Sequence, residues 1–274
     1  MRQWKKIWFA AFGCFFLFSI ACVAETLTMA TTTSTDDTGL LDYLSPVFTK
    51  ETGIDLKWTA TGTGKALKLG ENCDVDVLLV HAPKVEKEFV EKGFGIDRRE
   101  VMYNDFVIIG PAADRAKIKG KTVSEAFDLI SKEQAPFASR GDKSGTHVME
   151  LSLWKANGKA IPEKESWYVQ TGQGMLQTIS IAEEKNAYTL TDRGTYIKYE
   201  KNHNGNPPLV TLVEGDNILK NQYSVIIVLN THCPKTKEKL ARTFSDWMVK
   251  DTTQKLIGDF KLLGKPLFTP NAKK

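Results

Sequence analysis

Hydrophobic positions change period along the chain, and each change marks an element. Leu27–Ala30 is a short apolar run that enters the polar segment 31–39, TTTSTDDTG. Leu40, Leu41, Leu44, Val47 and Phe48 then share one helical stripe that stops at Gly53. Pro46 inside that stripe predicts a kink or a restart. Ile54, Leu56, Trp58 and Ala60 alternate with Asp55, Lys57 and Thr59, the period of a strand. Segment 61–64 (TGTG) turns into a short helix over 65–69. Val75–Val80 is continuously apolar, as a strand buried on both faces would be, and a charged helix follows over 83–92.

The same alternation resumes further on. Phe106–Ile109 reads as a strand and Val123–Lys132 as a helix. Ala135–Ala138 enters segment 139–146 (SRGDKSGT), and a helix runs from there to about Asn157. Tyr168-Val169 precedes 171–174 (TGQG) and a helix over Met175–Lys185; Ala187–Leu190 precedes 191–194 (TDRG) and a helix near Thr195–Glu200. Tyr223–Leu229 is a strongly apolar strand, and Lys235–Asp259 closes the pattern at helical spacing. Strands alternating with helices argue for α/β sheets. With no internal repeat, low-complexity tract or long linker, two lobes joined through ordinary strands fit best.

Composition removes some classes and relocates the charge. A chain of 274 residues, 42% hydrophobic and 26% charged, has the make-up of a folded protein rather than a disordered, collagenous or disulfide-scaffold one. The formal net charge of +4 invites a reading as a polyanion binder. Arg2, Lys5 and Lys6 carry three of those charges ahead of the apolar run Ile7–Val23, and Ala24 ends a small-residue site. Basic, apolar and small in that order is an export signal cleaved after Ala24, with an uncleaved anchor or a lipid on Cys22 as the alternatives. The near-neutral remainder gives no reason to expect nucleic acid. Export also brings Cys73 and Cys233 into an oxidising compartment, where they either form a disulfide or remain two unconnected thiols.

Five loops, 31–39, 61–64, 139–146, 171–174 and 191–194, are rich in hydroxyl and glycine, and each opens an expected helix. A helix start leaves four backbone N–H groups unpaired and carries about half a positive charge. Converging ends of this kind would build an anion site from neutral dipoles. Any one loop is explained as well by helix capping; five together favour a shared site. Arg140 adds a planar fork suited to an oxyanion, or a salt bridge to Asp142. A carboxylate facing the ligand would accept the proton of hydrogen phosphate and repel a fully ionised oxyanion.

Other motifs fail. Residues 59–66 (TATGTGKA) lack the first Gly and final Ser/Thr of a P-loop, and neither Gly62-x-Gly64 nor Gly172-x-Gly174 has the third Gly of a dinucleotide fingerprint. Ser144 does not sit in a Gly-x-Ser-x-Gly elbow, and His81, His147, His203 and His232 lack metal-ligand spacing. Arg140-Gly141-Asp142 matches an adhesion tripeptide too short to be informative. No catalytic constellation or cofactor motif is left.

Taken in order, ATTTST at 30–35, ATGTGKAL at 60–67, VDVLLVHAP at 75–83, SRGDKSGTH at 139–147, TGQGM at 171–175 and AYTLTDRGTY at 187–196 resemble the tungstate-binding proteins of ABC importers, the TupA family. The resemblance covers nearly all of 26–268. It implies a type II periplasmic-binding fold, two α/β lobes joined by two hinge crossings, with the oxyanion held between them. Carried over residue by residue, it implies ligand contacts from Thr32, Thr33, Ser34, Thr63, Arg140, Ser144, Gly145 and Thr146, and also from Gly174, Met175 and Thr191. Cys73 and Cys233 depart from the family pattern. The crossings are expected at Tyr103–Ile109 and Gln222–Leu229, giving lobe one as 26–105 with 229–274 and lobe two as 106–228.

The implied protein is a monomeric periplasmic receptor that binds tungstate or molybdate as an oxyanion, needs no cofactor or metal cation, and docks on a membrane permease. Rival readings are a phosphate or sulfate receptor, an exported hydrolase and an adhesion module.

Overall fold

A computed structural model describes residues 25–156 and 158–273; the expected export signal lies outside them. Among the described residues no helix is long and apolar enough to cross a membrane. The chain begins with β1 (Glu25–Thr32), α1 (Thr33–Asp36), α2 (Leu40–Thr52), β2 (Ile54–Thr61), α3 (Thr63–Glu71), β3 (Val77–Val80) and α4 (Pro83–Glu91). A long strand, β4 (Gly95–Pro111), leads to α5 (Val123–Lys132), β5 (Phe137–Ser139), α6 (Gly145–Ala156) and β6 (Tyr168–Gln170). Then come α7 (Met175–Glu184), β7 (Thr189–Asp192), α8 (Arg193–Asn202), β8 (Leu209–Val213) and β9 (Lys220–Val228). The C-terminal segment holds α9 (Glu238–Met248), α10 (Asp251–Asp259), β10 (Lys261–Leu262), β11 (Lys265–Pro266) and β12 (Thr269–Pro270).

β1 pairs in parallel with β2 on one side and β3 on the other, and β9 lies antiparallel between β3 and β4. β4 serves two groups of strands. Its residues from Gly95 to Asp105 pair with β9, whereas Phe106–Pro111 pair with β7 and β8. The partner change between Asp105 and Phe106 takes the chain from one lobe to the other. Because β9 pairs along its length with β3 and β4, residues 220–228 belong to the first lobe's sheet.

The apolar runs follow from burial on both faces. Val77 and Leu79 enter a core with Met29, Phe48, Phe244 and Trp247, while Leu78 and Val80 enter another with Ala66, Phe89 and Ile226. In the second lobe Phe106 and Ile108 meet Phe127, Phe137 and Trp154, while Val107 and Ile109 meet Ala138, Ile179 and Tyr196.

Several elements differ from the sequence expectation. Pro46 does not restart α2, which runs unbroken from Leu40 to Thr52. Pro46 and Asp42, the residue whose carbonyl it leaves unpaired, are both exposed, so water replaces the missing bond. The stripe over Lys235–Asp259 is two helices, with Lys250 extended between them and Asp251 favouring the new N-terminus. Residues 95–102 were not legible as strand because Asp97, Arg98, Arg99 and Glu100 interrupt the apolar pattern. Buried Glu86 on α4 holds Arg98 there, accepting from its Nε at 2.8 Å and from the Ala82 N–H at 2.5 Å.

Cys73 and Cys233 are joined, with Cα atoms 5.3 Å apart across 160 residues of sequence. The bond ties the end of α3 to the segment after β9, and His232 lies beside it. Closing so long a loop restricts the unfolded chain. Replacing both cysteines by serine is expected to lower stability by about 2–4 kcal/mol in urea denaturation. A thiol titration of the unfolded, unreduced chain starting at Glu25 should find no free sulfhydryl.

Candidate anion-binding site

β1, β2 and β3 run parallel, so their carboxyl ends share one edge of the first lobe. That edge carries Thr32, Thr61 and, one residue past Val80, His81. In the second lobe β5 is parallel to β6, and a single bridge from Phe137 to Tyr188 sets the chain entering β7 parallel to it as well. Loops 139–146 and 171–174 and the junction at Thr191 therefore leave one edge too. Carboxyl ends of parallel strands are where open α/β sheets bind ligands. The edges face each other closely: a Cβ built on Gly145 would stand 3.5 Å from His81 Cε1 and 3.7 Å from Thr63 Oγ1. A cavity of about 460 Å³ opens beside this contact, lined by Thr63, His81, Phe106, Gly145, Val148 and Asn221 among others.

Buried His81 organises the first lobe's share. Its Nδ1 is 2.8 Å from Asn221 Oδ1, and Asn221 Nδ2 donates to Asn104 Oδ1 at 2.8 Å. This polarity makes Nδ1 the protonated nitrogen and leaves Nε2 as acceptor. Nε2 lies 3.0 Å from Thr32 Oγ1 and 3.2 Å from Ser34 Oγ. One ring nitrogen has one lone pair, so it accepts from a single hydroxyl and leaves the other's proton for a different acceptor. Thr32 also caps α1, accepting from the Thr35 N–H at 3.3 Å. Thr33 opens that helix with an exposed side chain, and Thr63 is buried at the first position of α3 behind Gly62.

Arg140 dominates the second lobe's share. Its Nη2 is paired with Asp142 Oδ2, and the other oxygen of Asp142 accepts the Ser144 N–H at 3.0 Å. Burial pushes the Asp142 carboxyl up, but its bonds to Ser144 and Arg140 outweigh this and hold it below the usual range. Arg140 Nε is buried and has no partner among the described residues. Ser144 immediately precedes α6, and Gly145 and buried Thr146 open its first turn. Gly174 caps α7 with backbone only. Met175 and Thr191 point into the protein: Met175 joins a core with Val107 and Ile179, and Thr191 is buried in β7 opposite Val107. The geometry thus brings together Thr32, Ser34, Thr63 and Gly145 around His81, with Arg140 and Ser144 joined through Asp142.

Several carboxylates near the site are engaged, while Asp37, beside Asp36, is exposed. Asp192 caps α8, accepting from the Thr195 N–H at 2.9 Å and its hydroxyl at 2.7 Å. Asp36 accepts from Trp58 Nε1 at 2.6 Å. At the crossing, Asp105 takes a bidentate pair from Arg193 at 2.6 Å for each bond, and Arg193 also reaches Glu214 at 2.7 Å. This clamp holds the start of α8, and so Thr191 and Asp192, against β4.

Ser34, His81 and Asn221 trace the outline of a nucleophile, base and orienting group. The imidazole is nearer to Thr32 than to Ser34, and its partner is a neutral amide rather than the carboxylate that would stabilise an imidazolium. The row therefore suits a fixed hydrogen-bonding brace. Arg140-Gly141-Asp142 folds on itself through the Arg140–Asp142 pair. Gly141, at φ 61°, faces Gln170 so closely that a Cβ there would stand 2.8 Å from the Gln170 Cβ.

Comparison with known proteins places this arrangement in a family. A family model described as a PBP superfamily domain matches residues 21–252. The tungstate-binding protein TupA of Campylobacter jejuni is 57% identical over 240 residues, covering 88% of this chain and 89% of that protein. The chain belongs to the TupA family. The solved structure of a tungstate-binding TupA from Desulfovibrio alaskensis is 67% identical with a TM-score of 0.87, covering 91% of this chain and all of that one. One described as the tungstate ABC transporter from Geobacter sulfurreducens is 48% identical with a TM-score of 0.77, covering 86% and 99%. The TupA relatives are named for binding rather than catalysis, and their fold is the expected type II periplasmic-binding fold.

Sequence reasoning missed His81 and Asn221 as members of the site. Burial lowers the His81 proton affinity below its usual value near 6.5, with Asn221 and Asp192 opposing. A histidine depressed in this way loses folded-state stability as pH falls below that value. NMR should show His81 neutral at pH 7 with its proton on Nδ1. Urea stability of the wild-type chain relative to His81→Gln is expected to decline from pH 7 to pH 5, the buried carboxyls being common to both chains.

Proposed function

We propose that this TupA-family chain is the extracytoplasmic receptor of an ABC importer, capturing tungstate, with molybdate as its closest substitute, and delivering it to a membrane permease. The observation that carries this reading is the Nε–H of Arg140, buried and without a partner among the described residues, in the loop that leads into the first turn of α6. A buried donor without an acceptor costs about 1–3 kcal/mol, and an oxyanion would relieve that cost. The names of the relatives support tungstate. So does the engagement of Asp36, Asp142 and Asp192, which leaves the oxygens described above paired with protein donors. A fully ionised oxyanion brings only acceptors and is served by such a site; hydrogen phosphate would want a free carboxylate.

In this proposal one lobe contributes Thr32, Thr33, Ser34 and Thr63. The other contributes Arg140, Ser144, Gly145, Thr146 and Gly174, with the main chain of Met175 and Thr191. Six to eight charge-assisted bonds of about 1.5–3 kcal/mol each would reach about −12 kcal/mol, roughly nanomolar, after ordering costs. The lobes close about the partner change in β4 and the start of β9, which refines the boundary expected at 228 to about 220. Residues 1–24 direct export, and the receptor acts as a monomer on its permease.

Arg140→Ala is expected to weaken tungstate binding tenfold or more by calorimetry, part of it from repulsion by the unpaired Asp142. Unchanged affinity would remove Arg140 from the site. Intrinsic fluorescence should respond saturably to tungstate and molybdate, and a response to phosphate alone would overturn the ligand choice. Ester and phosphoester substrates should give no turnover.

A further inference from the structure

Below the Arg140 loop lies a carboxyl group that no ligand contact requires. Glu150 is buried on α6, four residues after Thr146 and so on the same helix face, about one turn or 5.4 Å further from the helix start. Its Oε1 accepts from Tyr168 Oη at 2.5 Å and from Trp154 Nε1 at 3.2 Å. Ser139 ends β5 and immediately precedes Arg140. Tyr168 belongs to β6, whose end pairs Gln170 with Ser139 and starts the 171–174 loop. One acid on α6 therefore holds β6, the strand that leads to Thr171 and pairs with β5, whose end leads to Arg140.

We propose that Glu150 is a positioning residue that couples oxyanion capture to the uptake of one proton: the carboxyl is partly ionised in the open receptor and becomes neutral when a dianion occupies the turn above it. The inference rests on the oxyanion-receptor reading. Burial raises the carboxyl to about 7, with Ser139, Tyr168 and Trp154 opposing, so its charge is in play at neutral pH. A dianion about a turn or two of helix away disfavours a second negative charge in a low-dielectric interior, which shifts the group further towards its protonated form. Binding then takes up a proton, and affinity falls as pH rises through about 7.

The Glu150→Gln variant separates this response from that of the surrounding titratable groups. Tyr168 shares the carboxyl and is pushed up, away from neutrality. His147, on the same helix, is pushed down by burial, with Asp142 and Glu163 opposing. Asp142 is held low, and Arg140 is a permanent cation. From α5 the facing residues are apolar, Phe127 foremost. His81, across the cleft, is pushed down as well.

The test uses tungstate and molybdate, which stay dianionic over the range, titrated calorimetrically from pH 6 to pH 8.5 in buffers of differing ionisation enthalpy. The wild-type chain is expected to bind about three- to tenfold more weakly at pH 8.5 than at pH 6, with up to one proton taken up near pH 7. Glu150→Gln keeps an acceptor for Tyr168 and Trp154 and should flatten the profile. Tyr168→Phe removes a donor to the carboxylate and should move the fall in affinity to higher pH. A melting curve shows that each variant is folded, and either variant alone tests the linkage. A flat wild-type profile, or the wild-type slope retained in Glu150→Gln, overturns the proposal. No binding of either ion at any pH overturns both it and the receptor reading.

Discussion

Membership of one strand in two lobes is the constraint on which the rest of the structure depends. β4 pairs with β9 up to Asp105 and with β7 and β8 from Phe106 onward. A strand cannot curl freely while both its edges are hydrogen-bonded, so the change of partners fixes how the two sheets meet. Arg193 secures that point, its fork filled on both sides by Asp105. A bidentate pair of this kind sets orientation as well as energy. The clamp also starts α8 and fixes the end of β7, so the crossing and the second lobe's edge of the cleft are one piece of structure.

From that constraint the convergence of loops follows. β1, β2 and β3 are parallel, as are β5 and β6, and parallel strands deliver every following loop to the same edge. Each loop then opens a helix, because hydroxyl and glycine residues both terminate strands and cap helix starts. On the proposed function, backbone N–H groups left over at those starts serve the ligand. Local capping chemistry and ligand chemistry therefore call on the same residue types at the same positions. This is why no single loop in the sequence could separate the two roles, and why five loops with a shared geometry can.

Legibility in the sequence tracked the range of the interactions. Val75–Val80 and Phe106–Ile109 announced themselves because burial on both faces leaves no polar residue in the run. The five loops were visible because caps are local. His81 was not, since its meaning comes from Thr32, 49 residues away, and Asn221, 140 residues away. A histidine with no metal-ligand neighbours in sequence reads as scattered until the fold supplies its partners. The first half of β4 was hidden for a related reason: Arg98 reads as a surface charge until Glu86, on a different element, is seen beneath it. Met175 and Thr191 show the converse, since family resemblance marks a position without saying whether side chain or main chain serves it.

Charge, which first suggested a polyanion binder, acts in this protein mostly by being cancelled. Three of the four excess charges precede Ile7, and Asp192, Asp36 and Asp142 are answered individually by a cap, an indole and a guanidinium. A strongly positive cleft would attract every anion in proportion to its charge and would lose that attraction to salt. Fixed N–H groups, hydroxyls held by a neutral imidazole and a single half-committed guanidinium impose direction instead: they favour an anion whose oxygens are all acceptors and whose shape meets donors from both lobes. Such donors are oriented before a ligand arrives, so the cost of organising them falls on folding rather than on binding. On the proposed function, selection among oxyanions would then rest on protonation state and geometry, with net charge playing little part.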